Sequence, residues 1–167
     1  MYMGHLGIAI GARAARPSVP LWSLMCTALL PDLANAIWNL TPIGDRNDLL
    51  SHSIPAVLVL AAIVWLLSGL ARRDWRGGAL LAALVISHLF ADYITSREAV
   101  WPGGPVIGAH LYLHHRWDFV VEGAVIVGGW ALYRKSLIAT ERATWPLYGM
   151  LALLLCLQFV FTLLPIT

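Results

Sequence analysis

The sequence predicts an all-α membrane protein, a polytopic bundle of about five spanning helices preceded by a half-length helix, and two observations predict it. Of 167 residues, 59% are hydrophobic and only 12% are charged, against about 45–50% and about 25% in an ordinary soluble domain. The apolar residues also fall in long runs. Only helices and closed barrels satisfy their own backbones in lipid, and runs of this length select helices. One integral membrane domain covering residues 1–167 is expected.

The elements follow in order. Gly4–Ala12 is apolar but about half a membrane long, which makes it a half-helix or re-entrant segment turned at Arg16 and Pro17 and sheltered by protein. A spanning helix needs about 20 residues, with a range of about 17–25. Five stretches qualify: Leu21–Leu40, Ile54–Leu70, Ala79–Thr95, Phe119–Tyr133 and Trp145–Leu164. The start of the chain lacks the basic flank of a signal peptide, so the first span is expected to act as its own insertion signal. Cys26 and Cys156 lie in apolar runs without Cys-x-x-Cys spacing and read as packing residues. Trp22, Trp75, Trp101, Trp117 and Trp145 flank the spans, where aromatic belts sit.

Charge sets the expected orientation. Arg13 and Arg16, then Arg72, Arg73 and Arg76, then Arg134, Lys135 and Arg142 occupy alternating connections, eight of the eleven Lys and Arg. The positive-inside rule assigns those connections to the cytoplasm. The remaining loops, Thr41–Ser53 and Ser96–Asp118, hold Asp45, Asp48, Glu98 and Asp118 with Arg46, Arg97 and Arg116, and are expected outside. Net charge is only +2, so no basic stripe argues for nucleic acid. The longer outer loop also carries Trp101-Pro102-Gly103-Gly104-Pro105, turn formers that cannot continue a helix.

Several polar residues interrupt the apolar spans. Asp32, His88, Asp92 and Glu122 lie within or at the ends of spans, where a charge at the helix centre costs about 2.5–3.5 kcal/mol. His88 and Asp92 are four apart and share one helix face. His52 opens the second span between two serines, and Glu122 follows Asp118 by one turn in the fourth. By the expected topology these groups meet in the outer half of the bundle. Imidazole and carboxylate together suit zinc, manganese or iron. An apparent binding energy of roughly 10–16 kcal/mol at structural zinc sites is of the order needed to offset three or four buried charges.

Gly4-His5, Leu30-Pro31-Asp32, Ser51-His52-Ser53 and Ser87-His88-x-x-x-Asp92 occur in an order that resembles the bacterial membrane-bound metal-dependent hydrolases, the YdjM-like proteins. With Trp101–Pro105 and Glu122 the resemblance runs over roughly positions 4 to 125. More distantly the pattern is similar to the zinc-dependent phospholipase C and single-strand nuclease superfamily. The resemblance implies a first divalent metal, zinc or alternatively manganese, on Asp32, His52, His88 and Asp92, with His5 and Glu122 near a second. It also implies hydrolysis, for which a spare carboxylate such as Glu122 or Asp118 is the candidate general base on chemical grounds. Two positions depart from the pattern: Ala34 stands where a second acid follows the Pro-Asp, and Asp118 stands where a histidine would precede Glu122.

The resulting expectation is an inner-membrane, metal-dependent hydrolase acting on a phospholipid or another lipid-linked phosphate at the outer side, with membrane lipid as its partner and surroundings. Two other readings remain open from sequence. One is a small carrier or channel that passes ions along Asp32, His88 and Asp92. The other is a family member that keeps its His–Asp pairs for packing alone.

Overall fold

A computed structural model describes residues 3–41, 48–138, 141–142 and 144–163. Positions 42–47, with Asp45 and Arg46 of the first outer loop, and Leu164 lie outside the described residues. Eight α-helices form among the described residues: α1 (Gly4–Ala12), α2 (Leu21–Ala28), α3 (Leu30–Asn39), α4 (Leu49–His52), α5 (Ile54–Arg72), α6 (Trp75–Thr95), α7 (His115–Ser136) and α8 (Trp145–Leu163). Between α6 and α7 the chain makes a small antiparallel hairpin, β1 (Glu98–Ala99) and β2 (Val106–Ile107), followed by a single 3-10 turn. The turn formers Trp101–Pro105 close that hairpin, with Gly103 at φ 74°.

Three of these helices, α5, α6 and α8, are long and apolar enough to cross a membrane, rather than five. The expected span Leu21–Leu40 is two helices, because Leu29 leaves helical geometry ahead of Pro31, whose ring lacks an N–H and clashes with the preceding turn. The expected Phe119–Tyr133 lies inside α7, which runs 22 residues but carries Arg116, Asp118 and Glu122 in its first two turns and Arg134 and Lys135 in its last. Asp118 is thereby helical and not part of the outer loop. Cys26 and Cys156 are exposed, so they do not pack inside the bundle.

The core forms where small residues let helices approach. α5 and α6 make a tight hairpin in which Gly78 lies against the Trp65 carbonyl and Gly69 against the Trp75 ring. Val57, Ala61, Val85 and Leu89 fill the seam between them. α1 lies parallel to α7 with backbone on backbone: a Cβ on Gly7 would stand 2.7 Å from Ile126 Cα, and one on Gly129 would overlap the Gly7 carbonyl. Ile10, Ile126 and Leu154 then join α1, α7 and α8, while Ala9, Val19, Leu24, Ala28, Leu81 and Leu84 join α1, α2 and α6. The short α1 is thus surrounded by protein, as a half-length helix requires. Half of the apolar stretch of α6 is buried, against 17% for α5 and 22% for α8, so α6 is the central span. Leu58, Val59, Ile63, Leu66, Leu67 and Leu70 of α5 point outward, as lipid-facing side chains do.

Charge separates along this bundle. Arg13 and Arg16 follow α1, and Arg16 Nη2 reaches the Asp74 carboxylate at 2.9 Å in the turn between α5 and α6 that also carries Arg72, Arg73 and Arg76. Arg134 and Lys135 end α7 near Arg13, with which Tyr133 and Leu137 share a cavity. The histidines and carboxylates described below gather at the opposite end, where α1 and α5 begin and α6 stops.

Asp74 caps α6 by accepting the Gly77 N–H at 3.0 Å, and this bond, with the Arg16 guanidinium, holds its carboxyl below the ordinary carboxylate value. A depressed folded-state pKa means stabilisation that is present above the usual carboxylate range and lost as pH falls through it. Asp74→Ala should therefore lower the unfolding temperature in detergent at neutral pH, and the deficit should shrink under strong acid. An equal deficit at both pH values would show that the charge contributes nothing.

Candidate metal centre

The five members of the centre arrive on four elements. His5 comes from the first turn of α1, Asp32 from the first turn of α3, and His52 from the last residue of α4. His88 and Asp92 stand one turn apart on the central α6. All but Asp32 are buried; the Asp32 side chain keeps 49% of its surface exposed and forms the open edge of the group.

Four ligand-type atoms form a compact set. His52 Nε2 and His88 Nε2 are 3.2 Å apart. Asp32 Oδ1 lies 3.3 Å from the first and 3.5 Å from the second. Asp92 Oδ2 lies 3.6 Å from His52 and 3.0 Å from His88. Zinc–ligand bonds of about 2.0–2.1 Å in a tetrahedron put neighbouring ligand atoms about 3.3 Å apart. The five separations above, of the six among four ligands, have that size, and the triads close enough to share one ion are Asp32–His52–His88 and His5–His88–Asp92. The other oxygen of Asp92 contacts His5 Nε2 at 3.2 Å, so His5, His88 and Asp92 make a second triad that overlaps the first.

Proton positions on the imidazoles follow from their outer partners. His88 Nδ1 lies 2.7 Å from the Ala28 carbonyl, which can only accept, so Nδ1–H donates, and in the neutral ring the lone pair is then on Nε2. His52 Nδ1 lies 2.9 Å from Ser51 Oγ, while that hydroxyl reaches the Asp48 carbonyl at 3.4 Å. With Nδ1 donating to that hydroxyl, neutral His52 turns the lone pair of Nε2 inward. An outer acceptor that fixes the tautomer of a ligating histidine is the usual support of a metal site. The His5 and His88 rings stack at 3.7 Å and 10°, which opposes charging both at once by Coulomb repulsion. Two imidazoles and two carboxylates are a donor set that divalent metals take. One dication would balance the two carboxylate charges, so the donor set fits a divalent metal.

Glu122 and Asp118, one turn apart on α7, have different surroundings. Glu122 is fully buried and its Oε2 accepts the N–H of Met3 at 2.9 Å and of Gly4 at 3.0 Å. A carboxylate at a helix N-terminus satisfies orphan donors and meets the positive end of the dipole. Glu122 thereby fixes the helix turn that carries His5. Asp118 is also buried, and its Oδ1 has no hydrogen-bond partner among the described residues.

Outside the five ligand candidates, the structure adds residues that motif reading missed. A cleft of about 460 Å³ opens over the set, lined by Asp32, Asn35, Asp48, His52, Asp92, Ser96, Glu98 and Tyr112. Asn35 Nδ2 donates to Asp48 Oδ1 at 2.6 Å, and Ser96 O–H donates to Glu98. Burial pushes the Glu98 carboxyl above its ordinary value. Asp48 and Glu98 looked like plain loop acids in the sequence; only the hairpin and the turn before α4 bring them to the cleft. His114 and His115 are exposed, away from this lining.

No curated protein and no solved structure matches the chain. A family model described as the YdjM inner membrane protein matches residues 2–164, and with so much of its length covered the chain belongs to the YdjM inner membrane protein family.

Proposed function

We propose that the chain is a multi-pass inner-membrane hydrolase that uses one divalent metal to cleave a phosphate ester of a membrane lipid. The observation that carries this reading is the quartet Asp32, His52, His88 and Asp92, with five of its six ligand-atom separations at 3.0–3.6 Å and each imidazole Nδ1 held by a partner outside the set. Zinc suits this mixture of nitrogen and oxygen ligands, and manganese is the alternative. When bound, the ion would supply a Lewis acid that polarises a phosphoryl oxygen and makes water a better nucleophile near neutral pH.

The chain's own groups do the rest. Ala28 and Ser51 hold His88 and His52 in the ligating tautomer, and Asp92 ties both to His5. Glu122 positions His5 through the start of α1. Of the two carboxylates assigned to base catalysis, Asp118 has an oxygen with room for a proton. The open edge at Asp32 lies on α3, which exposes Leu33 and Ile37 while Asp32 and Asn35 line the cleft. A ligand entering there meets polar groups at one end and apolar side chains at the other, which favours an amphipathic substrate. The basic end of the bundle is assigned to the cytoplasm and the cleft to the outer face by the positive-inside rule. In this reading α7 and the broken pair α2 and α3 also cross, giving the five passages the apolar runs suggest. A carrier is less well supported, since the ionisable groups gather at one end and do not line a path.

Release of phosphate-containing headgroup from short-chain phospholipids, measured with zinc and after chelation, tests the proposal. Turnover should depend on metal, vanish in His52→Ala and fall about 100-fold or more in Asp118→Asn, the scale of a lost proton acceptor. Bound metal with no release from any phospholipid class would sink the hydrolase reading. No bound metal would leave a His–Asp packing cluster.

A further inference from the structure

We infer that the basic end of the bundle holds one anionic phospholipid, its phosphate among Arg13, Arg134 and Arg142 and its first acyl carbons in the cavity between α2, α7 and α8 beside the end of α1. The inference goes beyond the hydrolase reading and does not depend on it.

The cavity supplies the first part of the argument. It measures about 410 Å³, within the range of small-molecule sites, about 300–1,000 Å³, so it takes a headgroup with its adjoining carbons and not a whole lipid. Leu21, Leu147 and Met150 give it apolar walls, while Arg13 and Tyr133 bring polar groups to the same lining. Its depth is that of lipid headgroups. Trp22 and Trp145, 65% and 82% exposed, adjoin the lining residues Leu21 and Pro146 in the chain, and tryptophans of this kind gather at the membrane–water interface. Charges alone would serve a soluble anion. The apolar walls add to binding only for a ligand with a hydrocarbon part.

Charge supplies the second part. Arg16, close by, already pairs with Asp74. Arg13 instead donates to the Val19 carbonyl. Arg134 Nε donates to the Arg142 carbonyl at 3.2 Å, and its guanidinium lies 5.7 Å from the centre of the Trp130 ring. Arg142 donates to the Leu137 and Lys135 carbonyls at 2.8 and 3.0 Å. Carbonyls and an aromatic face hold a guanidinium in place without cancelling its charge. Arg134, Lys135 and Arg142 follow the lining residues Tyr133 and Glu141 in the chain, so four cations, Arg13 included, face one carboxylate of the lining, Glu141. That excess suits an anion, and guanidinium groups match phosphate with paired hydrogen bonds. A lipid seated there ties the end of α1, at Arg13, to the connection between α7 and α8.

The test titrates dioleoyl-phosphatidylglycerol, dioleoyl-phosphatidylcholine and glycerol 3-phosphate into the full chain in detergent and counts bound lipid by native mass spectrometry. One glycerol lipid should be retained per chain, about tenfold or more tightly than the choline lipid, and glycerol 3-phosphate at equal concentration should not displace it. Arg13→Gln with Arg142→Gln should weaken its binding about 30-fold, the scale of two basic residues beside an anionic lipid. Thr144→Trp, at an exposed position of the lining, obstructs the cavity and leaves every charge in place. It should weaken binding about tenfold, and it tests the cavity even where loss of the arginines impairs folding. Equal retention of the two lipids would overturn the inference, as would several glycerol lipids bound without a distinct first one, which is the behaviour of diffuse surface charge. Displacement by glycerol 3-phosphate would make the ligand a soluble anion, and unchanged affinity in Thr144→Trp would put the lipid elsewhere; either result overturns it.

Discussion

Alanine at both His88 and Asp92 is expected to bring bound metal to background and to lower thermal stability, both measured on protein purified in detergent. The reason is that these two side chains join the quartet to His5: His88 Nε2 contacts Asp32, His52 and Asp92, and Asp92 divides its oxygens between His5 and the other two imidazoles. Removing them leaves His5, His52 and Asp32 without their shared partners in a buried setting, and breaking a buried charged pair costs about 3–5 kcal/mol. The bound ion contributes separately. At free metal about 100-fold above the dissociation constant, binding to the folded state alone is worth about 2.7 kcal/mol. A chelator applied to the native chain should therefore reproduce part of the loss. If chelation leaves the unfolding temperature unchanged while the double variant lowers it, the cluster is a packing device and holds no ion.

Gly129→Val is expected to be nearly as damaging, although Gly129 touches none of the ligands. Its Cα lies against the Gly7 backbone, and a Cβ there has no place to go because the obstacle is a main-chain carbonyl. Forcing extra carbons into such a contact costs about 1–3 kcal/mol, and more where the backbone itself must move. The shift would be taken by α1, which is nine residues long and carries His5 into the centre. Metal affinity should fall about 10- to 100-fold, the usual scale for losing a supporting group. Gly128→Val is the control, since nothing lies within 4 Å of a Cβ at that neighbouring position; surface changes of this kind stay within about 0.5 kcal/mol. Similar behaviour of the two variants would discard the close-contact account.

Much of this was legible in the sequence because it is local. Hydropathy found the apolar runs, and the half-length Gly4–Ala12 appears as α1 with those bounds. The four-residue spacing of His88 and Asp92 placed both on one face of α6. The cost of burying charge pointed to Asp32 as a companion, and the resemblance to the YdjM-like proteins added His52 and His5; the structure brings the five together. Nonlocal features were illegible. Nothing in Ser96–Asp118 marks Glu98 as different from its loop neighbours, because its placement depends on a two-residue strand pairing with Val106 and Ile107. Glu122 shows the same limit: its partners are backbone amides of residues 3 and 4, groups every residue owns and no side-chain pattern reveals.

The break at Leu29 has a bearing on protonation. A helix end leaves its last carbonyls without intrahelical donors, and Ala28 closes α2. His88, pinned in a neighbouring helix, has a ring N–H that needs an acceptor if its other nitrogen is to stay bare. The deficit of one element and the surplus of the other cancel in a single 2.7 Å bond. The proline that interrupts the backbone of one helix thus writes the tautomer of a histidine in another, and the interruption belongs to the coordination chemistry as much as to the shape of the chain.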